Sequence, residues 1–252
     1  MPLPVVNLNV FTNVTSSDAR HCLVPEAVNS FFRSFESSLG GYRIVSRIFI
    51  DPKPHRDNFD NWIKAIHAGL PDVDLEIVQT EGLIDGFWRS VELAEGAFAV
   101  QLEHDFVFLK SRIHHGLDRL IDEMRRANIN FIRFNKRRNV RVGYDLFLDP
   151  EPFTTIPLSR ISGRSNNPQI IDVAYYRGLF ASIPEIKRLG LEGGLCRYAG
   201  GGHLYGEPGW PRSVQHLDGR RVRMKDGLAR AAWLLRERGI GLLRQGQARH
   251  RS

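Results

Sequence analysis

The sequence predicts an α/β fold in which a mainly parallel β-sheet is flanked by helices. Apolar runs of strand length alternate with amphipathic stretches of helical length over the first half of the chain, and no linker or internal repeat interrupts them. Such alternation predicts parallel strands joined by right-handed helical crossovers. With 252 residues and 42% hydrophobic content, the chain can form one large domain with a core.

The first strand and helix are the most regular pair. The pattern of residues 5–14 predicts a buried strand. Pro25 is suited to the first turn of the helix that follows, and Gly40-Gly41 ends that helix. The core face of this helix comprises Val28, Phe31, Phe32, Phe35 and Leu39.

Two more strand–helix pairs follow in the same order. Residues 42–50 predict a second strand that ends at Asp51, and the apolar stripe of residues 59–70 predicts a second helix. A short strand at 74–79 and a helix at 84–95 complete this part. Gly96 therefore ends this helix, and another strand is predicted to follow it.

The strand after Gly96 ends in two carboxylates, Glu103 and Asp105, separated by His104. Because side chains alternate between the two faces of an extended chain, Glu103 and Asp105 are predicted to point the same way. Such a pair can hold a divalent cation and its bound diphosphate. Ligands of open α/β sheets bind beyond the carboxyl ends of strands, so this is the predicted site.

The second half of the chain is less regular. A helix at 113–124 and a strand at 129–134 continue the alternation, whereas frequent glycine and proline in 140–219 predict loops and short elements that cover one edge of the sheet. Residues 224–238 predict a final amphipathic helix. We therefore expect one domain over residues 1–219 and a basic helical tail over 220–252.

Composition limits the possible partners and compartments. The net charge of +7 favours an anionic partner, but the late arginines are interpreted as a solvated basic tail rather than a nucleic-acid surface, so no nucleic acid is expected. Cys22 and Cys196 are too few for a disulfide framework and are expected to be reduced thiols of a cytoplasmic protein. No apolar run reaches the ~18 to 20 residues of a membrane span. A peripheral membrane contact through Trp233, Leu234 and Leu235 is possible, although packing against the domain is favoured.

The segment around the two carboxylates resembles the GT-A glycosyltransferases, in particular their large inverting family. Gly82-Leu83, then Ala94, then Gly96 and the apolar run into Glu103-His104-Asp105 follow that family's pattern of G-L, A-x-G, an apolar strand and D-x-D. The resemblance implies a GT-A fold and a Mn²⁺- or Mg²⁺-dependent enzyme. That enzyme would move a sugar from a nucleoside diphosphate donor to a hydroxyl of a glycan, a lipid-linked saccharide or another acceptor.

The resemblance also implies roles for particular residues near the metal. Asp105 would be the direct metal ligand, and Glu103 would lie near the ribose or a metal-bound water. His216 is the candidate for a late histidine that completes the metal shell, with His203 as a weaker competitor. Arg89 is the candidate diphosphate-binding cation, because Phe87-Trp88-Arg89-Ser90 stands where the family often has Arg-Asn.

The resemblance also implies which residue acts as the base and which residues bind the nucleoside of the donor. Glu192 is the nearest match to the acid that deprotonates the acceptor, but Gly193 stands where the family's second acid would be. Thr12, Asn13 and Asp51 lie where the donor's nucleoside would bind. For Asp51, the alternative is that Asp51-Pro52 only begins a turn.

Two later segments resemble uncharacterised glycosyltransferase-like proteins that share the E-H-D turn. In residues 130–137, Arg133, Lys136 or Arg137 would meet phosphate or acceptor charge, or these would be solvated charges at a strand edge. Residues 165–169 favour a structural turn.

Two other functions remain as alternatives to sugar transfer. A nucleotidyltransferase could use the same carboxylates, although residues 12–19 lack the glycine of a phosphate-binding loop. A non-catalytic module could bind acidic glycans or nucleic acid through its arginines, and that binding would be salt-dependent.

Overall fold

The computed structural model describes residues 2–141, 146–186, 191–198 and 201–217. The predicted helix at 224–238 and the rest of the basic tail lie outside these residues. The division of the chain into residues 1–219 and 220–252 therefore remains a prediction.

The described residues form strands and helices that follow the predicted order closely in the first half of the chain. The strands are β1 (Val5–Val14), β2 (Arg43–Pro54), β3 (Leu75–Gln79), β4 (Phe98–Glu103), β5 (Phe106–Phe108), β6 (Phe131–Arg133), β7 (Leu148–Pro150), β8 (Leu158–Ile161), β9 (Gln169–Asp172), β10 (Gly202–Tyr205) and β11 (Val214–His216). The helices are α1 (Val24–Leu39), α2 (Phe59–Gly69), α3 (Leu83–Glu92), α4 (Leu117–Arg126), α5 (Val173–Ser182) and α6 (Leu191–Tyr198).

Nine strands form one mixed sheet in the order β3-β2-β1-β4-β9-β6-β10-β8-β7. The neighbours β3, β2, β1 and β4 are parallel, as predicted from the strand–helix alternation. The short β9 then pairs antiparallel with both β4 and β6. Since β6 thereby runs in the direction of β4, and β10 is parallel to β6, the carboxyl ends of β1, β2, β3, β4, β6 and β10 lie at one edge of the sheet, and that of β9 lies at the other.

The region 140–219 is more regular than the sequence predicted. It supplies strands to the interior of the sheet, not only loops that cover one edge. It also contains helix α5, whose first turn is capped by Asp172: the backbone N–H of Tyr175 donates a hydrogen bond to the Asp172 side chain. The helix predicted at 113–124 also begins later, at Leu117. The backbone N–H of His114, before this helix, donates instead to the hydroxyl of Tyr205 at 2.8 Å.

Apolar side chains cover both faces of the sheet. Along β1, Val6, Leu8 and Val10 belong to a core cluster with α1, α2 and α4, whereas Phe11 belongs to a second cluster with α3 and α5. None of the helices in the described part of the chain combines the length and apolar character needed to cross a bilayer.

Candidate active site

A cleft of about 270 Å³ opens at the carboxyl ends of the parallel strands. Strands β1, β2 and β4, the residue that follows β3 and the start of α3 contribute its walls, at the edge where ligands of open α/β sheets bind. The lining residues are Phe11, Thr12, Asn13, Phe49, Asp51, Thr80, Gly82, Leu83, Gly86, Glu103 and His104.

Stacked aromatic rings form one side of this cleft. The ring of Phe11 stacks on Phe49 with centroids 5.5 Å apart and on Phe87 with centroids 6.0 Å apart. Helix α3 approaches these rings closely at Gly86, where an added Cβ would lie 3.2 Å from the ring of Phe11. The turn into α3 uses Gly82 with φ of 93°, a conformation that side chains disfavour. The cleft thus combines an apolar wall with a glycine-lined rim.

Polar groups face the aromatic wall from the ends of β1 and β2. Asp51 lines the cleft, and its Oδ1 also accepts a hydrogen bond of 2.9 Å from the backbone N–H of Lys53. Strand β2 continues through Asp51 to Pro54, so the predictions that the strand ends at Asp51 and that Asp51-Pro52 begins a turn are wrong; Asp51 is a strand residue that lines the cleft. Thr12 and Asn13, the other residues predicted to hold the nucleoside, line the same cleft.

The E-H-D segment is not extended throughout, so the alternation from which Glu103 and Asp105 were predicted to point the same way does not reach Asp105. Strand β4 ends at Glu103, and His104 and Asp105 form a turn, so strict alternation stops before Asp105. The backbone N–H of His104 donates to the carbonyl of Phe11 at 2.9 Å. As a result, the adjacent residues Glu103 and His104 both line the cleft. Asp105 turns toward another strand.

That strand is β11, which places His216 against Asp105. Strands β5 and β11 form a two-stranded antiparallel ribbon in which His216 lies opposite Phe106. His216 Nε2 is 2.7 Å from Asp105 Oδ2, and the rings of His216 and Phe106 are 4.7 Å apart. Asp105 and His216, far apart in sequence, therefore form a hydrogen-bonded pair beside the cleft residue His104.

The environment of this pair fits a cation. Asp105 Oδ1 is buried and has no hydrogen-bond partner among the described residues, which is costly for a carboxylate oxygen unless something else satisfies it. Burial lowers the pKa of His104 despite the nearby Asp105 carboxylate, which favours the neutral form of its ring. Within residues 2–141, 146–186, 191–198 and 201–217, no three histidine, cysteine, aspartate or glutamate side chains gather as one ligand cluster. Asp105 and His216 could supply two ligands to a cation that replaced their mutual hydrogen bond, and a phosphate-bearing ligand and water would supply the others.

Arg89 does not reach the cleft. Its Nη1 donates to the carbonyl of Gln79 at 2.9 Å, and its Nε lies 3.6 Å from Asp85 one helical turn away. The contact of Arg89 with a diphosphate stays a prediction that this geometry does not support.

The remaining candidates lie in different places. Glu192 is in helix α6, but its side chain lies outside the described atoms, so its role as base stays a prediction. His203 lines a separate cavity of about 170 Å³ at the amino ends of β6 and β10, where its Nε2 is 3.1 Å from Glu151 Oε2. It is therefore not near Asp105 and is no alternative to His216.

Several residues of the cleft carried no signal in the sequence. Alternation predicted that His104 would face away from Glu103, and Thr80 is an isolated polar residue after a short strand. A small recess beside Glu103 is lined in part by Asn166, Asn167 and Gln169, in the segment that was interpreted as a turn.

No protein-family model matches the chain, and no curated protein matches its sequence. Solved structures do match its fold. TarS residues 1–349 from S. aureus superimposes with a TM-score of 0.50 at 13% identity over 83% of this chain. GalNAc-T7 superimposes with a TM-score of 0.53 at 14% identity over 86% of this chain. The matches span 60% of the TarS chain and 45% of the GalNAc-T7 chain. These similarities confirm the GT-A fold.

Proposed function

We propose that this protein is a metal-dependent glycosyltransferase that moves a sugar from a nucleoside diphosphate donor to an acceptor hydroxyl. The observation that carries the proposal is the pairing of Asp105 with His216 beside a cleft at the carboxyl ends of the parallel strands. The structure of GalNAc-T7, which shares the fold, contains UDP, GalNAc and Mn²⁺, and this supports the same ligand class here.

The cleft suits the nucleoside end of the donor. Phe11 and Phe49 offer an apolar wall for a flat base, and Asp51 and Thr12 offer polar groups for the base edge or ribose. Glu103 and His104 border the same space and adjoin Asp105 in sequence, so a diphosphate at this end of the cleft would extend toward Asp105. The base and the diphosphate would then occupy opposite ends of one cleft.

Asp105 and His216 are the residues that would hold the cation, with Glu103 near its water or the ribose. A carboxylate and an imidazole are suitable ligands for Mn²⁺. The buried Asp105 Oδ1 has no hydrogen-bond partner among the described residues, and a cation would compensate its negative charge. A bound Mn²⁺ or Mg²⁺ would supply electrostatic stabilisation of the departing diphosphate.

The proposed transfer is a displacement at the anomeric carbon of the sugar. The bond to the β-phosphate oxygen breaks and its electron pair leaves with the nucleoside diphosphate, while the acceptor oxygen forms the new bond to the same carbon. The proton of the acceptor hydroxyl passes to a base. Glu192 is the base that the family resemblance implies, and a glycan or lipid-linked saccharide is the acceptor class.

The test measures whether the cleft binds a nucleoside diphosphate with a cation. Thermal unfolding of the full chain is followed with UDP, GDP, CDP and ADP, each with Mn²⁺, with Mg²⁺ and with EDTA. We expect at least one diphosphate to raise the Tm with Mn²⁺ and to lose most of that effect in EDTA. No shift with any of them would contradict the proposal.

Sugar transfer itself is tested with the nucleotide that binds. We expect the corresponding sugar nucleotide to release its diphosphate slowly to water and faster with a glycan acceptor. Binding of glycans or nucleic acid that needs no cation and disappears at high salt would instead favour the non-catalytic module. Release of pyrophosphate from a nucleoside triphosphate would favour a nucleotidyltransferase.

A further inference from the structure

Three cations at the end of strand β6 and just after it were predicted to meet phosphate or acceptor charge, and the structure separates them by position. Arg133 is buried, and its Nη1 donates to the carbonyl of Gly163 at 3.3 Å, so its side chain forms contacts inside the fold. Arg137 is exposed to solvent. Lys136 is half-buried and lies against the ribbon that carries His216.

The backbone before Lys136 is fixed next to strand β11. The N–H of Asn135 donates to the Ser213 hydroxyl at 3.0 Å, and the N–H of Ser213 donates back to the carbonyl of Asn135 at 2.9 Å. The N–H of Phe134 donates to the carbonyl of Pro168 at 2.8 Å. Hydrogen bonds to two neighbouring segments thus fix the backbone of residues 134–135, so the backbone at Lys136 has little freedom to move.

The ammonium group of Lys136 lies one ring away from the Asp105–His216 pair. Its Nζ is 5.4 Å from the centroid of Phe106, and the other neighbour of that ring is His216, at 4.7 Å between ring centroids. Cation–π contact of this kind holds the ammonium in place without neutralising its charge. None of the ion pairs within the described residues includes Lys136, so its charge is available to a ligand.

We propose that Lys136, rather than Arg89, is the side chain that binds the diphosphate of the donor. This inference rests on the proposed function and names the cation of the same site. When the sugar leaves, negative charge grows on the β-phosphate, and an ammonium held on the Phe106 ring, which also contacts His216, would offset it. Lys136 would act as a point charge on the terminal phosphate, and the nucleoside would make no contact with it.

The test compares nucleotides that differ only in the terminal phosphate. Binding of the diphosphate and the monophosphate of the same nucleoside, both with Mn²⁺, is measured by calorimetry for the wild type, Lys136→Gln, Lys136→Arg and Arg137→Gln. We expect Lys136→Gln to weaken diphosphate binding about tenfold, the scale of one charge-assisted hydrogen bond, and monophosphate binding less than about twofold. Lys136→Arg restores most of the affinity because it keeps the charge.

Arg137→Gln is the matched control, since it removes the same charge from the adjacent, exposed position. We expect it to change neither affinity by more than about twofold, because solvent screens its charge. Equal weakening by Arg137→Gln and Lys136→Gln would overturn the inference, since it would show an effect of net charge alone.

The remaining outcomes separate this inference from the function on which it rests. If the wild type binds the diphosphate and Lys136→Gln binds it equally well, Lys136 is not the phosphate ligand and the function stands. If Lys136→Gln loses monophosphate and diphosphate binding alike, its effect is structural and the inference fails. If the wild type binds no nucleoside diphosphate, the proposed function fails and this inference fails with it.

Discussion

Replacing Asp105 with asparagine separates the role of this residue in folding from its role in cation binding. The substitution keeps the size of the side chain and removes its negative charge. Asparagine can still form a hydrogen bond with His216, whose Nε2 is 2.7 Å from Asp105 Oδ2. Asparagine cannot supply the anionic oxygen that Asp105 Oδ1 offers to a cation.

The cost to the unliganded protein is small. The side chains of Asp105 and His216 are 21% and 29% exposed, so water partly solvates their pair. Weakening such a pair costs about 1 kcal/mol, which lowers the Tm of a domain of this size by roughly 2–4 °C. The variant should therefore remain folded at room temperature.

The effect on ligand binding is much larger. A ligand at one hundred times its Kd stabilises the folded state by about 2.7 kcal/mol, which corresponds to a rise in Tm of roughly 5–10 °C for the wild type. We expect Asp105→Asn to lose nearly all of this rise with Mn²⁺ and the nucleoside diphosphate. The assay is thermal unfolding of both proteins across a concentration series of the nucleotide.

Asp122→Asn is the control, because it makes the same chemical change at an exposed pair with Arg125 on helix α4. Its ligand-induced shift should equal that of the wild type. A full shift for Asp105→Asn would refute the reasoning, because the acid–histidine pair would then not hold the cation. Loss of the shift in Asp122→Asn as well would show that the assay reports surface charge.

Two further predictions concern stability and are measured by urea denaturation. Gly202→Ala should cost about 2–4 kcal/mol because its Cβ would overlap the buried ring of Phe131, whereas Gly178→Ala, with open space around it, should gain up to about 1 kcal/mol; equal effects would contradict this account. Burial raises the pKa of Glu123, but hydrogen bonds led by the Thr155 hydroxyl lower it overall. The ionised carboxylate therefore stabilises the fold above its usual pKa of about 4.5, and this stabilisation is lost as the pH falls through the lower pKa of the folded state. Glu123→Gln should therefore be less stable than the wild type at pH 7 and approach it at low pH, and a difference that does not change with pH would show that the carboxylate charge plays no part.

The first half of the fold could be predicted from local patterns. The bounds of strand β1 match the prediction because its pattern of apolar residues fits a strand buried on both faces of the sheet, although Asn7 and Asn9 are buried among them. The core stripe of α1 follows from helical spacing for the same reason, and Pro25 and Gly40 mark its limits. Such features depend on residues that are close together in sequence.

The middle of the sheet could not be predicted in this way. Strand β9 has four residues, and its place between β4 and β6 comes from antiparallel pairing with segments distant in sequence. Its side chains carry no alternating pattern, since Gln169, Ile170 and Ile171 are all buried. The segment 140–219 was therefore interpreted as loops.

The sequence by itself determined the strand–helix order, the carboxyl end of β4 and the presence of Glu103 and Asp105 there. Tertiary structure decided what those residues face. The turn at His104 breaks the alternation that would have placed both carboxylates on one side, and the ribbon of β5 and β11 carries His216 to Asp105. Periodicity describes only the local direction of the backbone, whereas the geometry of a site depends on where separate strands end and which of them pair.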